Sequence, residues 1–240
     1  MAARKRRLEV ENGLLFASLA EQVKEPFVQI AHAAELLRLH PGKNELEQLF
    51  TTITLTSESA LKLIDGYLLN VRLQQASELP LEPVSLSSIL YDTAQDLDSY
   101  ARAHDCELDL QIKGKYGPVM GRHDVLRTAL QSLGYAFIEA ISQQENHSKL
   151  TLIARRTSKG MSTGMYSDID TLSAQLFKQA KVLKGLARQP LSNFTAGSGA
   201  GVFVADALLA RLKSPMKVSR YGGQNGLSLT LQSSGQLSLV

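Results

Sequence analysis

The chain has 240 residues, enough for one large domain or two small ones. Apolar residues make up 44% and charged residues 20%. That balance belongs to a soluble globular chain and excludes disorder, collagen-like repeats and a coiled coil along the whole length. A single cysteine, Cys106, excludes an intrachain disulfide and a multi-cysteine metal cluster. No apolar run approaches the ~18 residues of a spanning helix. No pure apolar stretch follows the basic N-terminus as a secretory signal requires, so a cytoplasmic location is expected. The net charge of +3 is unevenly placed: Arg4, Lys5, Arg6 and Arg7 alone exceed it, and the remainder is close to neutral. Nucleic acid is therefore not an expected partner. The tail reads as a solvated helix start, with contact to acidic lipid or nucleic acid as the rival reading.

Two long helices open the chain. Leu15, Leu19, Val23, Phe27, Ile30, Ala34 and Leu37 recur at spacings of three and four. Turn residues from His40 to Asn44 interrupt the pattern. Leu46, Leu49, Ile53, Ser57, Ala60, Ile64, Tyr67 and Val71 then form a heptad-like stripe. Each helix would be ~45 Å long at 1.5 Å per residue, and the short loop makes them an antiparallel hairpin. One hairpin cannot bury stripes this wide, so a homodimeric four-helix bundle is expected. Pro26 predicts a kink near Val23. Ser77, Pro80 and Pro83 mark 77–85 as a linker between a hairpin domain at 1–76 and a second domain at 86–240.

The second domain alternates in type. Helices are expected over 85–104, with Ser85 or Ser87 as N-cap, and over 124–142, 171–186 and 202–212. Strands are expected at 106–112, within 114–120, and at 149–156, 161–165, 216–221 and 227–231. The pattern predicts a two-layer α/β sandwich, a mixed sheet backed by helices, so the whole chain is α + α/β.

Four segments carry a family resemblance. The stretch from Pro26 to Leu37 (PFVQIAHAAELL) is similar to the PLTSIRGYAELL that follows the phosphoacceptor motif of bacterial sensor histidine kinases. The segment from Tyr100 to Leu108 resembles the start of their ATP-binding domain, and that from Gly121 to Leu130 the approach to the N box. Gly197-Ser198-Gly199-Ala200-Gly201-Val202 resembles the second glycine box, GxGLGL. Order and spacing match over nearly the whole chain. The resemblance implies a transmitter module: a dimerising, phosphoacceptor-like hairpin followed by an ATP-binding-type α/β sandwich.

The resemblance also exposes departures. Where the family has histidine, five residues before the proline, this chain has Glu21. An imidazole is a nucleophile near neutral pH, whereas a carboxylate gives only a labile acyl phosphate. The two N-box asparagines, the second of which holds Mg²⁺ against the ATP phosphates, fall on Ser132 and Ala136. Tyr135 takes the metal position if the register slips by one, and Glu139 stands where lysine is common. Asp168 best matches the adenine-binding aspartate of the first glycine box, without its following glycines; an N-cap on the next helix is the alternative. The glycines at 197, 199 and 201 match a phosphate-cradling loop at a helix start. Lys178, Lys181, Lys184 and Arg188 share a helix face that either meets phosphate or is solvated. His32, eleven residues after Glu21, is the alternative phosphoacceptor. His40, His104, His123 and His147 show no ligand spacing, and no metal site is expected.

The reading that follows is a degenerate, homodimeric kinase-like module without autophosphorylation. It would bind a response-regulator receiver domain or a partner kinase near Glu21, Lys24 and Glu25, with ATP and magnesium doubtful as cofactors. One alternative is a divergent phosphotransferase working through His32 or an unusual ATP site. Another is a sensor that binds ATP or ADP without transfer.

Overall fold

The computed structural model describes residues 2–39, 41–76, 79–114, 117–142, 148–169, 172–183 and 199–234. Helix α1 spans Ala2–Leu37 without interruption at Pro26, and α2 spans Lys43–Gln75. The Gly42 amide donates to the Glu45 carboxylate (3.1 Å), so an acidic side chain closes the first turn of α2. The two helices lie against each other, as the short connection demands. The Thr56 hydroxyl of α2 reaches Gln29 of α1 at 3.5 Å.

The second part begins with a short strand, β1 (Glu82–Val84), inside the expected linker. It pairs antiparallel with β3 (Val119–Gly121). The chain returns to this ribbon near its end: the Met120 amide donates to the Gln232 carbonyl and the Ser234 amide to the Pro118 carbonyl, both at 2.8 Å. Helix α3 (Leu86–Ala103) starts at Ser85, whose hydroxyl accepts from the Ser88 amide at 3.3 Å; of the two candidate caps, Ser85 is the one used. Its buried residues Leu86, Ile89, Leu90, Thr93, Leu97 and Tyr100 follow the three-four spacing of one face. Then come β2 (Cys106–Lys113), α4 (His123–Ser142), β4 (Ser148–Thr157), β5 (Gly160–Ser167) and α5 (Ala174–Leu183). Helix α6 (Gly199–Arg211), β6 (Lys217–Tyr221) and β7 (Gln224–Leu231) complete the described elements.

Five strands form one sheet in the order β2-β4-β5-β7-β6. Only β2 and β4 are parallel, with Leu108 opposite Leu150 and Leu110 opposite Leu152. The other three pairings are antiparallel. Leu150, Leu152, Met161, Met165, Leu227, Leu229 and Leu231 point from one face of the sheet into a continuous core. Helices α3, α4 and α6 cover that face. Helix α4 is buried nearly all round because the sheet lies below it and α2, α3 and α6 surround it. Cys106 is buried at the start of β2, and that burial pushes its thiol up to about 11, so it behaves as a small core residue. The chain is thus a helical hairpin followed by a two-layer sandwich. The expected helix over 171–186 starts later, at Ala174, because the Ser173 hydroxyl caps it by accepting from the Leu176 amide at 3.2 Å.

Candidate functional site

Helix α2 is shared between the hairpin and the sandwich. Its buried residues Thr56, Ser59, Ala60, Gly66, Asn70 and Leu73 face α1 and the sandwich. The helices approach closely at Gly66. A β-carbon there would stand 2.8 Å from Val204 Cγ1 of α6 and 3.1 Å from Ser132 Oγ of α4, so only glycine lets the three helices meet. At the end of the seam Arg211 of α6 donates through one Nη atom to two carbonyls, Leu73 in the last turn of α2 at 2.5 Å and Ala76 just beyond it at 3.1 Å. These carbonyls have no helical partner of their own, and a guanidinium at the negative end of α2 suits the helix dipole.

This seam contains the residues that resemble the N box and the second glycine box. Ser132 and Ala136 are buried on α4, one turn apart, beneath the first turn of α6. A β-carbon on Gly201 would lie 2.5 Å from the Ser132 carbonyl oxygen and 3.1 Å from Ala136 Cβ, so the glycine is required by helix packing. Gly199 and Ala200 are buried as well; Gly197 lies outside the described residues. The structure therefore brings Ser132, Ala136 and Gly201 together, with Gly199 buried at the start of the same helix. Octahedral Mg²⁺ demands oxygen ligands. Ala136 offers none, and the Ser132 hydroxyl is a neutral group, buried and without a hydrogen-bond partner, in the corner formed by Gly66 and α6. These residues do not fit a magnesium–triphosphate site. Among the described residues, no group of three His, Cys, Asp or Glu side chains is placed to hold a metal ion.

The other candidates are dispersed. Glu21 is exposed on α1 and pairs with Lys24 at 2.6 Å, a solvated contact within one helix. Glu25 and His32 are also exposed on α1. Asp168 is exposed just beyond β5, where its neighbour Ile169 is fixed through its carbonyl by the Asn225 amide at 3.0 Å. Asp168 does not cap α5, since Ser173 does. Lys178 is exposed. Lys181, in contrast, reaches the buried Asp206 of α6 at 2.7 Å, so it ties α5 to α6 and is no part of a solvated face. Lys184, Arg188, His40 and His147, and the side chains of Arg4 to Arg7, lie outside the described residues.

Glu139 does not face the glycine corner. It lies one turn further along α4 on the side of α3, where it accepts from the Tyr100 hydroxyl at 2.9 Å. Tyr135 packs edge-on against Tyr100, with ring centroids 4.8 Å apart. Burial pushes the Glu139 carboxyl up to about 7; the Tyr100 hydrogen bond opposes the rise and the nearby Glu25 carboxylate of α1 adds to it. Burial and the Glu139 charge hold the Tyr100 hydroxyl neutral across the physiological range. The Tyr135 hydroxyl is pushed up to about 12, mainly by burial and then by Glu58 of α2 and Asp96 of α3. Further along the same helix pair Arg127 donates to Asp96 at 2.6 Å and Gln131 donates to the same oxygen, while His123 stands 4.0 Å from Asp92. This α3–α4 ladder escaped the sequence reading. Its only trace there is the four-residue spacing of Asp92, Asp96 and Tyr100.

No protein-family model and no curated protein matches the sequence. Solved structures do. The chain is similar to histidine kinase ThkA in its complex with response regulator protein TrrA, with a TM-score of 0.58 at 11% identity, covering 96% of this chain and 64% of that one. Full-length ShkA in complex with AMPPNP gives 0.54 at 17% identity, over 92% of this chain and 46% of that one. Histidine kinase AdeS of Acinetobacter baumannii gives 0.53 at 13% identity, over 88% and 96%. The chain thus spans nearly all of the AdeS structure but under two thirds of the other two. At such identities the likeness is one of fold. The chain folds as a histidine-kinase transmitter module, an N-terminal helical hairpin followed by a mixed-sheet α/β sandwich.

Proposed function

We propose that this chain is a kinase-like signalling module that works by binding and has lost autophosphorylation. The observation that carries the reading is the seam between α2, α4 and α6. The N-box positions are Ser132 and Ala136, the second in the place of the magnesium-holding asparagine; both are buried, and packing at Gly66 and Gly201 closes over them. Glu21 at the phosphoacceptor position supports the same reading, because its carboxylate already pairs with Lys24 in solvent.

The proposed partners are a second copy of the chain and a receiver domain or partner kinase. Phe50, Thr54, Ser57, Leu61, Ile64 and Leu68 repeat at four and three residues along α2. Phe50, Leu61 and Leu68 are exposed, as are Phe16 and Phe27 of α1. A seam with this spacing suits a four-helix bundle of two hairpins. The receiver domain would dock on the exposed surface around Glu21, Lys24 and Glu25. ThkA was solved with a response regulator, which supports this choice of partner class. Docking needs complementary shape and charge and no nucleophile.

The test is incubation of the full chain with labelled ATP and Mg²⁺, followed by titration with an isolated receiver domain. The expected result is no label on the protein, no stabilisation by millimolar nucleotide, and receiver binding that weakens in Lys24→Glu. Transfer of phosphate to the chain would overturn the proposal. A thermal shift with nucleotide but no transfer would favour a nucleotide sensor instead; a ligand at 100 times its Kd adds ~2.7 kcal/mol.

A further inference from the structure

The five-stranded sheet has a second face, turned away from the helices. Leu110, Leu152, Met165, Leu227 and Val218 pack toward the core. Side chains an odd number of positions along each strand therefore point outward. Gln111, Lys113, Arg155, Tyr166, Ser219 and Tyr221 share this outer face. Strands β2 and β6 are opposite edges of the sheet. Laid flat, they would stand ~19 Å apart at ~4.8 Å per strand. Yet the Tyr221 hydroxyl of β6 donates to the Gln111 side-chain oxygen of β2 at 2.8 Å. The sheet is therefore curled, and its outer face forms a trough that Tyr221 crosses. The floor is fixed. Tyr166 lies over Gly226, where a β-carbon would stand 2.5 Å from the Tyr166 Cδ1, and its hydroxyl meets the Ser219 hydroxyl at 2.9 Å. The two tyrosine rings are 5.5 Å apart.

Two cations converge on the Tyr221 ring. Lys113 Nζ stands 5.0 Å and Arg155 Cζ 5.6 Å from its centroid. The acids of this sheet, Glu107 and Asp109, are both taken by Lys149, at 3.0 and 3.1 Å. Among the described residues neither Lys113 nor Arg155 has an ion-pair partner, and the Arg155 Nε has no hydrogen-bond acceptor. Residues 148–167 and 217–231, which form the other four strands, hold Lys149, Arg155, Arg156, Lys159, Lys217 and Arg220 and no Asp or Glu. The chain as a whole is only +3, so positive charge is concentrated on this sheet.

We propose that the trough on the outer face of the sheet, centred on Lys113, Arg155 and Tyr221, docks an extended acidic segment of a partner protein. Charge complementarity selects the occupant. Paired cations without an acid attract carboxylates over a distance, and a guanidinium takes a carboxylate in two hydrogen bonds. Tyrosine and arginine are also the side chains that carry most interface energy, and here both are held in place before a partner arrives. The same face suits other surfaces poorly. Among the described residues, none of the large exposed apolar side chains is on these strands, so a lipid or an apolar helix finds nothing to insert against. Single-stranded nucleic acid stacks its bases on free rings. Tyr166 is 1% exposed, and Tyr221 is engaged by Gln111 and two cations. The trough is separate from the surface around Glu21, Lys24 and Glu25 on α1.

The experiment titrates the full chain into fluorescein-labelled hexaglutamate and reads anisotropy. The expected result is saturable binding that weakens as ionic strength rises. Lys113→Glu should weaken it by about tenfold, and Lys113→Gln with Arg155→Gln should remove it. Lys113 is exposed, so its replacement leaves the sheet folded, and an unchanged melting curve checks this. The control is Lys43→Gln with Lys62→Gln, which deletes the same charge from exposed positions on α2 and should bind as the parent does. Equal losses in the control and the trough variants would show attraction by net charge alone and overturn the docking surface. So would binding that survives in the double trough variant, or the absence of binding by the parent. A thymidine oligonucleotide of the same charge is run beside the peptide; tighter binding of it through Lys113 and Arg155 would overturn the acidic-protein partner.

Discussion

Gly66→Ala tests the packing at the seam. In an isolated helix this change stabilises by ~1 kcal/mol, since glycine loses more backbone entropy than alanine. Here the new methyl would stand 2.8 Å from Val204 Cγ1, 3.1 Å from Ser132 Oγ and 3.5 Å from Thr128 Cγ2. Val204 is fully buried, and the neighbours sit on helices. Overpacking of this kind costs about 1–3 kcal/mol. The net expectation is a loss of about 1 kcal/mol, or a fall in Tm of about 2–4 °C for a chain of this size. Val204→Ala alone should cost about 2 kcal/mol, because it empties a fully buried site. In the Gly66→Ala background it should cost less, since it vacates the space the new methyl needs. A coupling of about 1 kcal/mol is therefore expected from urea unfolding of the four proteins. If Gly66→Ala raises stability as it would in a free helix, and the two changes simply add, α2 does not rest on α6 as described.

Two further predictions probe the ties around α6. Arg211→Ala removes both hydrogen bonds to the α2 carbonyls and should cost about 2 kcal/mol, with faster proteolysis of the segment after Ala76; unchanged proteolysis would contradict a docked α2 terminus. Lys181→Met leaves the buried Asp206 without its ion-pair partner and should cost about 3 kcal/mol, while Lys181→Met with Asp206→Leu should recover most of it. Equal stability of both variants and the parent would show that α5 is not held by this pair.

The periodicities that made the fold legible are strong ones. The hairpin, α3, α4 and the strands with their hydrophobic faces all follow spacing rules that a single segment carries by itself. The seam was not legible, because its determinants are far apart in sequence. Gly66 reads as a weak point in a helix until Val204 and Ser132 are brought against it. Lys181 reads as one of several cations on a face until Asp206 arrives from 25 residues downstream. The stripe through Ala60 and Tyr67 reads as one apolar face. Helix α2 in fact has two, one turned to α1 and the sandwich and one, through Leu61 and Leu68, left outward. Strand β1 was hidden by Pro80 and Pro83 in a segment that reads as linker; it pairs at an edge, where proline's missing N–H is tolerated. That Glu21, Ser132 and Ala136 stand where the resemblance would place a histidine and two asparagines was visible at once, since it concerns residue types. That Ser132 is sealed beneath α2 needed the third dimension.

Arg211 reaches back 138 residues to hold the carbonyl of Leu73. On a ribosome adding roughly 5–20 residues per second, that gap is on the order of 10 s. For that interval the hairpin is complete while the α6 surface that covers Gly66 does not yet exist. Two nascent hairpins could meet through their outward apolar seams before either sandwich is made. The order of synthesis would then favour pairing first and docking second, and the arginine that fixes the arrangement would arrive only after the hairpin is made.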